Sequence, residues 1–275
     1  MRPKQIFHLL KDAGTSWSND RANSMGAAIS YYSLFSLAPL LVIIITAAGY
    51  FLGADRVEQA IFGQLSDLMG EPAAKAVGEM LRHAQQPKTG GIAAAISIAV
   101  LLAGASTVLS ELQSALDVIW RAPDKEKTSG VWQWLRVRLV TYGMVLAMAF
   151  LMIISLVLSA GVAALGKWWG PMLRNWTIVA HALDLLVSLA LLTCAFAVIY
   201  RFMPSARVHW RDVWIGAGVT SLLFTIGKFA IGLYLGKSNV ASSFGAFGSL
   251  ALMMVWVYYS AQIFLFGAEF TWVYA

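Results

Sequence analysis

Apolar positions in this chain fall into long unbroken runs, at roughly 25–52, 91–118, 137–166, 177–200, 212–236 and 245–273. Each run is long enough to cross about 30 Å of hydrocarbon as an α-helix, at about 1.5 Å per residue. Only helices and closed barrels satisfy their backbone in lipid, and barrel strands alternate apolar with polar positions. These runs show no alternation. The pattern predicts an all-α polytopic bundle of six transmembrane helices, read as a single integral membrane domain over residues 1–275.

Three shorter stretches carry a one-sided apolar stripe instead. Ile6, Leu9, Leu10 and Ala13 follow i, i+3, i+4, i+7 spacing beside Lys4 and Lys11, which predicts an interfacial helix on an anionic membrane surface. In the first loop Val57, Ile61, Leu65 and Leu68 form a second stripe. Ala73, Ala76, Val77, Met80, Leu81 and Ala84 form a third after Glu71-Pro72, where proline suits a helix start. The two loop helices are expected to rest on the outer face of the bundle, as a packing hairpin or as a lid over a cavity. No internal repeat is evident along the chain.

Composition agrees with the pattern. Of 275 residues, 59% are hydrophobic and 12% charged, about half the charge of an ordinary soluble domain. The formal charge of +6 sits mostly in the short loops, where it reports topology more naturally than nucleic-acid binding. The N-terminus and the second and fourth loops hold twelve Lys and Arg against seven on the other side, where five first-loop acids offset them. Both termini are therefore expected in the cytoplasm. Trp120, Trp132, Trp134, Trp168, Trp169, Trp176, Trp210, Trp214 and Trp272 fall near span ends, as amphipathic rings prefer. A cleavable signal peptide is not expected, and the single Cys194 lies inside an apolar run, which leaves no disulfide framework.

Polar groups inside apolar spans are costly and mark candidate sites. In span 2, Ser106, Ser110, Gln113, Ser114 and Asp117 share a face with Thr107 and Glu111 on its shoulder. Glu111 and Asp117 lie close to the cytoplasmic interface, where a solvated helix end is an equal reading for Glu111 and the favoured one for Asp117. In span 6, Tyr258, Gln262 and Glu269 lie on one side. Span 1 carries Tyr31, Tyr32, Ser36 and Pro39. Pro39 frees the Phe35 carbonyl and bends the helix, and nearby hydroxyls can re-satisfy the backbone. These stripes share the cytoplasmic half and are expected to line a polar cavity, with a packed helix junction as the alternative. Asp184 and Lys228 fall at matching depths, about 12–14 Å below the outer boundary, and are expected to pair, as a structural tie between helices or as a gate. Gly232 and Gly236 form a GxxxG helix-packing signal.

Catalytic chemistry finds no foothold. His8, His83, His181 and His209 are scattered, with no metal-ligand spacing, P-loop or nucleophile elbow. An enzyme is not expected, nor a metal or other cofactor.

The segments "GAAISYYSLFSLAPLLVI" (26–43), "LQSALDVIWR" (112–121) and "FGSLALMMVWVYYSAQIFLFGAEF" (247–270) resemble the signature segments of the YihY/BrkB family of bacterial inner-membrane proteins, and the resemblance covers nearly the whole chain. It implies a six-span inner-membrane protein and brings no settled biochemical activity. Some members carry the label ribonuclease BN, and one branch is linked to virulence and serum resistance. The family segments coincide here with Tyr31, Tyr32, Ser36, Pro39, Trp256, Tyr258, Gln262, Gly267 and Glu269. An asparagine-like family position appears here as Asp117.

Together these readings favour a transporter or translocator of a lipid-like or amphipathic solute, through a cavity lined by spans 1, 2 and 6. A non-transporting scaffold for envelope or virulence-related partners is the alternative, and a membrane ribonuclease a distant one. The expected partners are membrane lipids and the solute, with homo-oligomerisation open and no nucleic acid.

Overall fold

The computed structural model describes residues 3–34, 45, 50, 53–69, 71, 74–75, 77–79, 107–123, 143, 150–151, 154, 158, 161, 176–206, 208–237 and 248–275, with backbone only at 3–6, 54, 67–69, 176–181, 184, 235–237 and 249. Helices dominate, and there is no strand among the described residues. In chain order they include α1 (Pro3–Asn19), α2 (Ala54–Met69), α3 (Trp176–Phe202), α4 (Trp210–Lys237) and α5 (Gly248–Tyr274). Residues 22–34 and 107–119 are helical as well.

Among the described residues three stretches are long and apolar enough to cross a membrane: Leu185–Phe202, Trp210–Tyr234 and Leu250–Tyr274. They coincide with the last three predicted spans. The first three predicted spans fall largely outside the described residues, and what is described of them is helical.

Short connections are made by unusual backbone. Arg21 lies between α1 and the 22–34 helix at φ 54°, and its carbonyl accepts from Ser24 N–H (2.9 Å) and Met25 N–H (3.3 Å). One left-handed residue thus ends one helix and opens the next. Gly53 precedes α2 at φ 89°, a conformation a Cβ would oppose; its carbonyl accepts from Val57 N–H at 3.2 Å.

The chain groups into two compact units. The first comprises Met1–Gly14, Leu116–Leu223 and Gly267–Ala275; the second comprises Thr15–Ala115 and Phe224–Phe266.

The first unit is held by a reciprocal seam between α4 and α5. A Cβ placed on Gly216 would lie 2.7 Å from Thr271 Cβ, and one on Gly267 would lie 2.8 Å from Thr220 Cβ. Each threonine therefore seats on a glycine of the other helix. The pairing runs antiparallel, because 216 and 220 meet 271 and 267 in that order. Thr220 and Thr271 each donate a hydroxyl proton to the carbonyl four residues back, those of Gly216 and Gly267, at 2.7 Å. Lipid tails are as apolar as leucine, so such close small-residue contacts supply what hydrophobic burial supplies in water. Gly232, read from sequence as a packing position, has open space where its Cβ would stand, with nothing within 4 Å.

In the second unit, the α2 stripe packs inward. Val57, Ala74, Val77, Ile45 and Met253 form a buried cluster, with Ile61, Leu65, Leu34, Trp256 and Val257 against it. On the surface, Glu71 and Lys75 pair at 2.7 Å across one helical turn. Hydrogen bonding from Lys75, then its charge, lowers the Glu71 carboxyl below its ordinary pKa.

Candidate functional site

In the first unit, polar side chains gather in a hydroxyl network between α3 and α4. Tyr200, fully buried, has its hydroxyl 3.1 Å from Thr220 Oγ1. The single Thr220 proton is committed to Gly216 C=O, so Tyr200 is the donor of that pair. Two turns back along α3, Thr193 Oγ1 lies 2.7 Å from Leu189 C=O and 2.7 Å from Ser221 Oγ, while Ser221 Oγ lies 2.9 Å from Gly218 C=O. Either hydroxyl can be the donor of the Thr193–Ser221 contact.

Glu269 belongs to the same unit and is fully buried, at 0% exposure, on α5. It stands two residues from both Gly267 and Thr271, hence about 200° around the helix from each. Glu269 is therefore buried on the side of α5 away from the α4 seam.

Below the seam, the 107–119 helix and the loop after α3 are clamped together. Asp117 accepts Ser205 N–H at 2.6 Å with one oxygen and the Ser205 hydroxyl at 2.9 Å with the other. The helix itself ends in a Schellman turn: Arg121 N–H bonds Val118 C=O at 3.0 Å and Ala122 N–H bonds Asp117 C=O at 2.8 Å. That turn needs a left-handed residue, ordinarily glycine, and Arg121 takes the position at φ 47°. Its guanidinium carbon sits 4.2 Å from the Trp272 ring centroid. Trp120 stands tilted against Tyr200 at 5.7 Å. The Arg201 guanidinium donates to Val208 C=O and lies 5.6 Å from the Trp210 ring centroid.

In the second unit, the polar positions of the 22–34 helix divide. Ser30 is buried and donates to Met254 C=O of α5 at 2.8 Å; Ser33 is buried too. A Cβ on Gly26 would lie 3.1 Å from Gln262 Cδ, and Gln262 Nε2 donates to Asn23 C=O at 3.3 Å. Gly26, Ser30 and Ser33 follow i, i+4, i+7 and make the face that meets α5. Tyr31 is 51% exposed, and Tyr32 meets it edge-on at 5.4 Å between ring centroids.

The remaining sequence candidates are dispersed. Tyr258, Ser110 and Ser114 are exposed, while Glu111 and Gln113 are half-buried. Lys228 is half-buried, with its ammonium 5.5 Å from the Phe229 ring centroid. Asp184 lies in α3 with its side chain outside the described residues, as are Ser36 and Pro39. Their expected roles, the Asp184–Lys228 pair included, therefore lie outside the description. No group of three His, Cys, Asp or Glu side chains suited to a metal ion occurs among the described residues.

Sequence reasoning passed over Thr193, Tyr200, Ser205, Thr220, Ser221 and Thr271. The signal available was the Gly-x-x-x-Thr pattern, present at 216–220 on one helix and at 267–271 on another.

Comparison with known proteins gives this arrangement its context. The family model described as "Virulence factor BrkB" matches residues 13–275. A UPF0761 membrane protein of Pseudoalteromonas atlantica is 26% identical over 252 residues, covering 89% of this chain and 78% of the relative. One from Alteromonas mediterranea is 28% identical over 253 residues, covering 88% and 79%. Another from Vibrio parahaemolyticus is 27% identical over 259 residues, covering 92% and 78%. No solved structure matches the chain. With the family pattern running from the end of α1 to the last residue, this chain belongs to the YihY/BrkB family of membrane proteins.

Proposed function

We propose that this BrkB-family protein translocates a lipid-like or other amphipathic solute across the bacterial inner membrane. The observation that carries the reading is Glu269, a carboxyl side chain fully buried in a helix long and apolar enough to cross a membrane. An ionisable group at such a position is expensive, and the usual reason to keep one is a substrate or proton path. Gln262 stands seven residues earlier on nearly the same side of α5, which extends a polar stripe toward the middle of that helix. Spans 1, 2 and 6 line the proposed path. The exposed Phe7 and Leu10 of α1 suit a helix resting on the membrane surface.

Reconstitution tests this directly. Proteoliposomes containing a trace of short-chain fluorescent phospholipid are treated with a membrane-impermeant quencher. Wild type is expected to expose inner-leaflet probe faster than protein-free vesicles, and Glu269→Gln to slow that rate about tenfold, a barrier change of about 1.4 kcal/mol. Equal rates with and without protein overturn the lipid reading.

A second reading, a non-transporting scaffold for envelope or virulence-related partners, is favoured by the tight Gly–Thr seam and by the direct Ser30–Met254 bond, which are features of a packed junction. Cross-linked envelope partners recovered equally with wild type and Glu269→Gln would favour it.

A further inference from the structure

We propose that the arginine–tryptophan brackets of the first unit bind the phosphate of a resident anionic phospholipid. Arg121 and Arg201 directly follow Trp120 and Tyr200, whose rings meet at 5.7 Å. The Asp117–Ser205 bonds, at 2.6 and 2.9 Å, hold the same two segments together a few residues away. Both guanidinium groups thus leave one locally fixed neighbourhood.

Each has a tryptophan partner, Trp272 at 4.2 Å and Trp210 at 5.6 Å. Neither forms an ion pair with a carboxylate among the described residues. Asp117 has both oxygens occupied by Ser205, and Asp212 stands in the first turn of α4, where the helix dipole already favours an acid. Arg201 spends one donor on Val208 C=O; among the described residues the rest of its fork, and that of Arg121, meets no acceptor. Arginine forks match phosphate oxygens in geometry and charge.

The strip beside Arg201 fits a lipid better than a soluble phosphate. Trp210, Trp214, Ile215 and Leu222 are exposed along α4 at helical spacing, and Phe202 is exposed next to Trp210. Aromatic rings of this kind sit at headgroup level, with apolar side chains following toward the hydrocarbon. A headgroup on the arginines would therefore lay its acyl chains on an apolar helix face. The occupant is retained rather than moved, so this site stands apart from the translocation reading.

The backbone supplies a control for folding. Arg121→Gly places the residue best suited to the left-handed turn while deleting the guanidinium, so its loss of binding cannot be ascribed to a broken turn. Native mass spectrometry of detergent-purified protein titrated with phosphatidylglycerol or phosphatidylcholine of equal chain length reads the proposal. Wild type should form phosphatidylglycerol adducts at about tenfold lower concentration, about 1.4 kcal/mol, because phosphatidylcholine carries the same phosphate with a quaternary ammonium that two arginines repel. Arg121→Gly/Arg201→Gln should erase the difference, and Arg121→Lys/Arg201→Lys should restore part of it. Equal adducts in wild type, or a preference that survives the double variant, overturn it. Inorganic phosphate is the second probe: failure to displace phosphatidylglycerol supports a lipid, whereas thermal stabilisation by phosphate that requires both arginines reassigns the site to a soluble anion.

Discussion

At the scale of single residues, the firmest lever is the backbone of Arg121. A left-handed conformation costs an L-residue about 1–2 kcal/mol, and here it is accepted so that the Schellman turn closes and the side chain reaches Trp272 at 4.2 Å. A cation–π contact returns about 0.5–2 kcal/mol. Arg121→Ala keeps the strain and loses the contact, whereas Arg121→Gly loses both. The glycine variant should therefore be the more stable by about 1 kcal/mol, the reverse of the usual order within helices, as checked by thermal unfolding in detergent. Asp117 obeys a different logic. Asn at this position can still accept Ser205 N–H through its amide oxygen and present its amide nitrogen to the hydroxyl oxygen. Asp117→Asn should cost little. Asp117→Ala, which strands a backbone donor, should cost about 1–3 kcal/mol in the same measurement. The Glu71–Lys75 pair bounds the other extreme. Its lowered carboxyl pKa means that any contribution is present above the ordinary carboxylate range and lost as pH falls through the depressed value. Both side chains are exposed, at 70% and 64%, so Glu71→Gln should leave the melting temperature at neutral pH unchanged.

At the scale of helices, the α4–α5 seam decides how closely two spans approach. A new methyl at Gly216 or Gly267 would meet the threonine hydroxyl oxygen first and then the threonine Cβ at 2.7 and 2.8 Å, an atom that moves only if the backbone moves. Gly216→Ala and Gly267→Ala should each destabilise by about 1–3 kcal/mol through overpacking. The exchange Gly216→Ala/Thr271→Gly should recover part of that loss, a coupling that a double-mutant cycle measures. Gly232→Ala is the control: with nothing within 4 Å of its Cβ, it should be neutral or gain up to about 1 kcal/mol of helix propensity. The same contrast shows what sequence can and cannot disclose. Long apolar runs announced α3, α4 and α5 because length and hydrophobicity are local properties. Which glycine is the packing one depends on a partner helix, and the sequence pattern favoured Gly232 and Gly236 over Gly216 and Gly267. The polar groups behaved alike. Tyr31 and Tyr32 were legible as polar groups in an apolar run, yet only the structure distinguishes Ser30, buried and bonded to Met254 C=O, from the half-exposed Tyr31 beside it. Tyr200 and Thr220 read as ordinary residues at a span end and a span middle until their 3.1 Å contact joined them.

At the scale of the whole molecule, family, helical class and the three last spans followed from apolar run length and from three signature segments, whereas the hydroxyl network and the arginine brackets needed contacts between distant positions. Orientation belongs to this scale as well, because it depends on charge summed over loops and not on any one contact. Twelve Lys and Arg flank one side of the predicted bundle and seven the other. The bias is carried by short loops, within the range where such charges act. Trp120, Trp210 and Trp272 come from three separate segments and all lie in the first unit, together with Arg121 and Arg201 from the charge-rich loops. A periplasmic location for those two arginines would run opposite to the positive-inside rule. A fluorescent protein that folds only in the cytoplasm should therefore light up when fused after Ala275, while an alkaline phosphatase fused at the same point should stay inactive. Fusion after Lys237, the lone cation of the fifth loop, should give the opposite pair of signals. If the charge count is the cause, adding four lysines around Lys237 while replacing Arg201, Arg207 and Arg211 with glutamine should reduce the cytoplasmic signal of the C-terminal fusion. An unchanged signal in that variant would assign the orientation to the earlier spans, with the charge of the last loops following it.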